Sequence, residues 1–324
     1  MRVLVIGTGA IGRRHIGNLL AIHPDAQLVL LRRPGAPGLD LPSGATIVET
    51  LDSALATGPD LAIVATPSSL HIQVLPALIS ARIPCYVEKP VVSERGHVAE
   101  LRRALSDHPG IPHVTGYNLR LLPSLVMARQ MVADGVLGTV ARASFAAGQW
   151  LPDWRPAQDH RAGYSASSGL GGGVIFDLSH ELDAARSFLG DCAIVTSMTA
   201  RMASLEIESE SVACIVARAA CGSLVTINLD YVARRPIRRY ELVGDHGTMI
   251  WDLPLQRLEL QDKAGISLLS EGREAFDVRQ TYLDAMGGFV RSAMDGYPSV
   301  LPSLEDGLLS SELAIAAHEV GGLS

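Results

Sequence analysis

Three groups of residues in this sequence have the types and the spacing to do chemistry. The first is Gly7-Thr8-Gly9-Ala10-Ile11-Gly12, a G-x-G-x-x-G run. In such a run the first glycine permits a tight turn, the second lets a pyrophosphate approach the backbone, and the third lets a helix pack closely on a strand. The helix it opens presents free N–H groups and a partial positive charge to an anion. The second group is Cys85-Tyr86-Val87-Glu88-Lys89-Pro90. An apolar strand ends there on a carboxylate and an ammonium, which alternation points to opposite faces and so leaves poorly placed to pair with each other. Pro90 keeps Lys89 out of helical geometry. The third group is Asp177, His180 and Glu181. On a helix the spacing i, i+3, i+4 brings them to one face, where Asp177 is placed to orient the imidazole or raise its basicity. The bland alternatives are a glycine-rich turn, a solvated strand end and a polar helix face.

The elements that position these groups follow from hydrophobic patterning. Residues 3–6, 27–31, 61–65, 85–87 and 113–115 are short apolar runs, and Val3–Ile6, Leu28–Leu31 and Leu61–Ala65 are continuously apolar, the pattern of parallel strands buried on both faces. Helical patterns lie between them, at 11–21 and 71–81, and this alternation predicts an α/β fold with a parallel sheet. The style changes after Tyr117. A helix is predicted from Pro123 to about Ala133, with proline in its first turn and Gly135 just past its end. A strand over 139–149 follows, then a polar, irregular stretch at 151–173, a helix over 174–189, and strands from there to about Lys263. Residues 224–231 alternate, with Val225, Ile227, Leu229 and Tyr231 on one face, which indicates an antiparallel or mixed sheet with one wetter face. Gly244-Asp245-His246-Gly247 reads as a hairpin turn. Helices over 281–294 and 303–320 close the chain. The expected domains are 1–118, for dinucleotide binding, and 119–324, for substrate binding and oligomerisation, with the C-terminal helix able to pack back on the first.

Composition narrows the function classes. The 324 residues are 48% hydrophobic and 19% charged, with a net charge of -7, which fits a globular chain and gives no support for a nucleic-acid partner. Cys85, Cys192, Cys214 and Cys221 form no CxxC pair, so neither a zinc knuckle nor a redox motif is indicated, and isolated thiols fit a reducing compartment. No apolar run approaches the roughly 20 residues of a membrane span. A cytoplasmic location, without membrane association, is expected. His180-Glu181 begins like H-E-x-x-H, but Ala184 stands where the second histidine belongs, and no metal is expected.

The residues after the second strand bear on the choice of dinucleotide. An NAD site places Asp or Glu there for the ribose 2′-hydroxyl, whereas arginine accommodates a 2′-phosphate. Here Leu31 is followed by Arg32 and Arg33 with no acid, so NADP(H) is expected over NAD(H).

Taken together, the opening Gly7-to-His15 segment, Ala65-Thr66-Pro67 followed by His71, Glu88-Lys89-Pro90, and Gly171-Gly172-Gly173 leading into Asp177 and His180 resemble the glucose–fructose oxidoreductase / inositol dehydrogenase / rhizopine catabolism (Gfo/Idh/MocA) family. The resemblance spans essentially the whole chain. It implies an N-terminal Rossmann domain, then an α/β domain on an open, largely antiparallel sheet that often mediates assembly, so that a homodimer or homotetramer is expected. It implies hydride exchange between a nicotinamide and a sugar, polyol or related alcohol, with Lys89 beside nicotinamide and substrate. Gly7, Thr8, Gly9, Ala10, Ile11, Gly12, Arg32, Arg33, Thr66, Pro67, His71, Glu88 and Lys89 then form the cofactor set.

Oxidising an alcohol requires a base for the hydroxyl proton, and histidine suits that task near neutral pH. His180 takes it in this reading, assisted by Lys89 and Asp177. Family members commonly separate this Asp and His by four positions, and here the separation is three; Asp183 keeps the expected spacing after His180. Tyr117, Asn118, Arg120, Trp150, Trp154, Arg155, Tyr164 and Glu181 are the candidate substrate contacts, because aromatic faces and hydrogen-bonding groups together suit a carbohydrate, acidic or nucleotide-linked sugars included. The competing functions are a catalytically silent dinucleotide-binding sensor and a dehydrogenase of a non-sugar substrate.

Overall fold

The computed structural model describes residues 1–33, 42, 44–156 and 158–322. The chain begins with β1 (Arg2–Ile6), α1 (Ala10–Ile22), β2 (Gln27–Leu31), β3 (Thr46–Val48), α2 (Leu51–Ala56), β4 (Leu61–Val64), α3 (Leu75–Ser80), β5 (Cys85–Val87), α4 (Arg95–Asp107) and β6 (Val114–Thr115). Among the described residues these strands form a parallel six-stranded sheet in the order β3-β2-β1-β4-β5-β6. That is the strand order of a Rossmann sheet. Leu61, Ala62, Ile63 and Val64 are all fully buried, as a central strand covered on both faces requires. Each such large aliphatic side chain contributes about 1.5–3 kcal/mol by leaving water.

One helix differs from its expectation. Residues 71–81 read as continuous, but a 3-10 turn (Ser68–Gln73) comes first and α3 starts only at Leu75. Pro76 is the cause: it has no N–H to donate and its ring collides with the carbonyl four residues back, so it fits the first turn of a helix and not its interior.

The second half contains α5 (Pro123–Ala133), β7 (Val140–Gly148), α6 (Val174–Asp177), α7 (His180–Leu189), β8 (Cys192–Ala200), β9 (Val212–Ala219), β10 (Leu224–Asp230), β11 (Ile237–Gly244), β12 (Thr248–Asp252), β13 (Arg257–Asp262), β14 (Gly265–Glu271), α8 (Arg273–Phe276), α9 (Val278–Asp295) and α10 (Leu304–Gly321). Its described strands form an eight-stranded sheet, β14-β13-β12-β11-β7-β10-β9-β8, in which every pair is antiparallel except β7 with β10. β10 alternates as its sequence predicts: Val225, Ile227 and Leu229 are buried, and Leu224, Thr226 and Asn228 are exposed. The buried face is covered by helices, with Trp251 Nε1 of β12 donating to Ser124 Oγ of α5 at 2.9 Å and the Phe188 ring of α7 tilted against Phe145 of β7, 6.1 Å between centroids. The hairpin at 244–247 is closed by the Gly244 N–H to the Gly247 carbonyl, 2.9 Å.

A second correction concerns residues 174–189, which are not one helix. α6 ends at Asp177, Leu178 takes ψ 31°, and α7 restarts at His180. Tertiary contacts act on this short segment: Tyr231 donates its hydroxyl to Asp177, and the Glu210 carboxylate accepts the Ile175 N–H at the start of α6. Asp177, His180 and Glu181 therefore do not share one continuous helix face.

The chain divides into two compact units, Met1–Asn118 with Arg279–Leu308, and Leu119–Val278 with the residues from Leu309 onward. The segment 279–308, expected in the second domain, thus belongs with the first. There Phe289 meets Tyr86 edge-on at 5.8 Å, the Thr115 N–H donates to the Pro302 carbonyl, and Gly307 lies against the Thr115 side chain, where an added Cβ would come within 2.0 Å of Oγ1. Among the described residues no helix is long and apolar enough to cross a membrane.

Candidate active site

In the first unit, β1, β4 and β5 are parallel neighbours, so Gly7, Thr66 and Lys89 leave the sheet at the same edge. Gly7 has φ +96°, and a Cβ there would stand 2.6 Å from the Ala65 backbone. A Cβ at Gly12 would lie 2.0 Å from the Gly7 carbonyl oxygen, which makes both glycines obligatory for the turn. Gly9 is different: nothing lies within 4 Å of an added Cβ, and it is the N-cap of α1, whose first turn carries no acid and no side-chain cap. Open space in front of uncapped N–H groups is what a pyrophosphate needs. Thr8, Ala10 and Ile11 complete this turn, and Arg32 and Arg33 follow directly after β2, the neighbour of β1, with Arg33 exposed.

Around Lys89 the contacts are specific. Glu88, on the opposite face, accepts His15 Nε2 at 2.6 Å and the Lys89 backbone N–H at 3.2 Å. Burial pushes the Glu88 carboxyl up, but the His15 hydrogen bond and the His15 and Lys89 charges outweigh it and hold the carboxyl below its ordinary value. His15 sits on α1, so this pair ties the glycine-turn helix to the lysine strand end. Gly116 makes room for it: an added Cβ would meet the Tyr86 hydroxyl and Glu88 at 3.0–3.2 Å. The ring nitrogens of His71 lie 2.9 Å from the Val91 and Thr66 carbonyls, stapling the turn after β4 to the chain after β5. Desolvation lowers the pKa of this imidazole. Pro67 precedes that 3-10 turn. Tyr117 is fully buried, and Asn118 donates to Thr281 Oγ1 at 2.7 Å inside the same unit.

In the second unit His180 opens α7 and is 8% exposed. Asp177 Oδ2 accepts the Tyr231 hydroxyl at 2.8 Å, and Trp154 meets the Tyr231 ring edge-on at 5.4 Å. Burial drives the Tyr231 phenol well above its ordinary pKa, with the Asp177 charge adding to it, so this hydroxyl remains a donor. Arg120 forms a two-pronged pair with Asp183, at 2.8 and 2.6 Å, and Ser310 Oγ donates to the same carboxylate at 2.8 Å. Glu181 is fully buried and its carboxylate holds Arg238 Nε at 2.8 Å and the Tyr240 hydroxyl at 3.0 Å, a structural arrangement that leaves it no face for a substrate. Trp150 lies under the Arg234 guanidinium, 3.6 Å from its ring centroid; Arg155 is exposed; the Tyr164 hydroxyl donates to the Gly171 carbonyl.

Sequence patterning misses several of these residues. Glu210 reads as surface within Glu208-Ser209-Glu210-Ser211, yet it is fully buried, and burial pushes its carboxyl up to about 7. The glycine run before α6 serves it, since a Cβ on Gly173 would lie 2.3 Å from the Glu210 carboxylate. Tyr231 carries a signal that could have found it, as the last inward residue of an alternating strand.

A family model described as an oxidoreductase family with an NAD-binding Rossmann fold matches residues 1–113, and one described as the GFO/IDH/MocA C-terminal domain matches residues 125–250. The chain belongs to the Gfo/Idh/MocA family. It is 24% identical over 204 residues to 2,7-anhydro-N-acetylneuraminate hydratase of Mediterraneibacter gnavus, covering 60% of this chain and 51% of that protein. It is 25% identical over 204 residues to inositol 2-dehydrogenase of Rhizobium meliloti, covering 62% of this chain and 58% of the relative. The chain thus spans about half the length of these curated relatives. Among solved structures, GenD2 from gentamicin A biosynthesis, in complex with NAD, superposes with a TM-score of 0.80 at 25% identity, covering 99% of this chain and 94% of that one.

Proposed function

We propose that this protein is an NAD(P)-dependent oxidoreductase that moves a hydride between a nicotinamide and a secondary alcohol or ketone of a sugar, polyol or sugar derivative. The observation that carries the reading is the alignment of Gly7, Thr66 and Lys89 at one edge of the parallel sheet. Ligands of such sheets bind outside the carboxyl ends of the strands, where the strand order reverses, and here that is between β1 and β4.

The bound nicotinamide supplies or accepts the hydride. The chain's own residues do the rest. Gly9 and the α1 N-terminus hold the pyrophosphate. Lys89 offers an ammonium to oxygen that gains negative charge. His180 exchanges the hydroxyl proton, and Tyr231 fixes Asp177, three residues before it. His71 and Glu88 act through the segments they hold. Arg32 and Arg33, with no acid at the end of β2, support NADP(H) over NAD(H), although the NAD complex named above belongs to a relative with the same fold. The half-open second sheet supports assembly into a homodimer or homotetramer, which sedimentation velocity reads directly.

The test is fluorescence titration with NADPH and NADH, followed by a panel of polyols, sugars, sugar acids and nucleotide sugars monitored at the nicotinamide absorbance. Tighter NADPH binding and turnover of at least one member are expected. Tighter NADH binding would overturn the role given to Arg32 and Arg33, and binding without turnover across the panel would overturn the enzyme.

A further inference from the structure

Among the described residues, the second unit carries guanidinium charge that no protein carboxylate neutralises. The connection after β10 contains Arg234, Arg235, Arg238 and Arg239. Arg238 is paired with buried Glu181, and Arg239 lies 3.5 Å from Glu241. Among the described residues no carboxylate pairs with Arg234 or Arg235, both of them exposed. Unbalanced cations stand out in a chain with net charge -7.

The parallel pairing of β7 with β10 explains why Arg234 is where it is. Both strands end at the same edge, with Gly148 opposite Asp230. They stay in register beyond their ends: the Gln149 N–H donates to the Asp230 carbonyl at 3.2 Å, and the Leu151 N–H to the Tyr231 carbonyl at 3.0 Å. The Asp230 carboxylate accepts the N–H groups of Val232 and Ala233 at 2.8 and 2.6 Å, which fixes how the connection turns. Gly148 leaves room for it, since an added Cβ would fall 2.2 Å from the Asp230 carboxylate. Trp150 and Arg234 therefore meet, 3.6 Å apart, as a prearranged cation over an aromatic face. A guanidinium held this way has lost rotamer freedom before any ligand arrives. The same connection begins at Tyr231, whose hydroxyl reaches Asp177, three residues before His180.

We propose that Trp150 and Arg234 form a seat for a negatively charged group, so that the substrate is an anionic sugar bearing a carboxylate or a phosphate. The planar fork of arginine matches both groups. The inference rests on reading the second unit as the substrate-binding part of an oxidoreductase.

Calorimetric titration of the intact protein with glucuronate, glucose 6-phosphate, UDP-glucose and neutral glucose tests it without requiring turnover. At least one charged sugar is expected to bind more tightly than glucose, less so as salt is added. R234A should weaken that ligand roughly 10–100-fold, the scale of a hydrogen bond to a charged group, with an unchanged melting temperature, and R234K should recover part of the loss. Preference for glucuronate identifies a carboxylate, and preference for glucose 6-phosphate or UDP-glucose a phosphate. Equal binding of glucose, no binding of any charged sugar, or an R234A affinity equal to that of the parent overturns the seat. A charged sugar bound through Arg234 but never oxidised or reduced leaves the seat standing and removes the proposed reaction. A neutral sugar turned over equally by R234A does the reverse.

Discussion

The two units build their candidate site groups by different means. In the first, position comes from backbone: parallel strands buried on both faces, glycines that admit no Cβ, and strand ends released at one edge. In the second, a sheet with one open face holds its groups through buried polar networks, in which Arg120, Asp183, Ser310 and Arg186 form one chain of contacts and Glu181, Arg238 and Tyr240 another. Backbone placement is set up by short local motifs and closed by neighbouring strands, as where Ala65 hems in Gly7. Networks depend on residues far apart, such as Asp183 and Ser310, and they carry the desolvation cost of buried charge.

The largest expected effect falls on chemistry in both units. Lys89→Ala and His180→Ala should each lower turnover by roughly 10²–10⁴-fold, the range for a lost proton-transfer group, while dinucleotide affinity measured by fluorescence stays unchanged. Normal turnover in either variant would remove that residue from the reaction.

Next is the buried His15–Glu88 pair of the first unit. Glu88→Ala leaves His15 without its carboxylate, and urea unfolding should show a loss of about 3 kcal/mol, as for other broken buried pairs. A loss within experimental error would mean that backbone alone sets this strand end.

Two buried groups, one in each unit, differ in the sign of their pH dependence. In the first, burial lowers His113 from 6.5 to about 4, so the native state binds fewer protons than the unfolded one in that interval. Its contribution is complete above pH 6.5 and is lost as pH falls through 4. In the second, burial raises Glu210 from 4.5 to about 7, so the native state holds the extra proton. Its contribution is complete below pH 4.5 and is lost as pH rises through 7. Each amounts to about 3 kcal/mol at most, taking 1.36 kcal/mol per pKa unit. Denaturation across this range should show His113→Leu removing the rising slope and Glu210→Gln removing the falling one. Parallel slopes in the two variants would contradict the contrast.

The smallest effect belongs to the open face. Arg142 and Glu241 pair at 2.8 Å, but the arginine side chain is 56% exposed. Arg142→Ala should change unfolding free energy by no more than about 0.5 kcal/mol, because water and salt screen such pairs. A loss several times larger would show that this face is covered in solution.

The parallel sheet, the glycine turn, the lysine strand end and the alternation of β10 are legible from local pattern, because each follows from short motifs and a fixed period of burial. The rest depends on contacts between distant parts of the chain. Pro76 delays α3 by local chemistry, but the break between Asp177 and His180 depends on Tyr231 and Glu210, more than thirty residues away. The return of 279–308 to the first unit has the same character, since Gly307 fits Thr115 only across the folded chain. Glu181, a candidate substrate contact in sequence, and Glu210, which reads as surface there, are both fully buried in the fold. A charged residue's type states what it can bind. Only packing states whether a protein group has already taken it, as Asp183 has taken Arg120, or has left it open, as with Arg234.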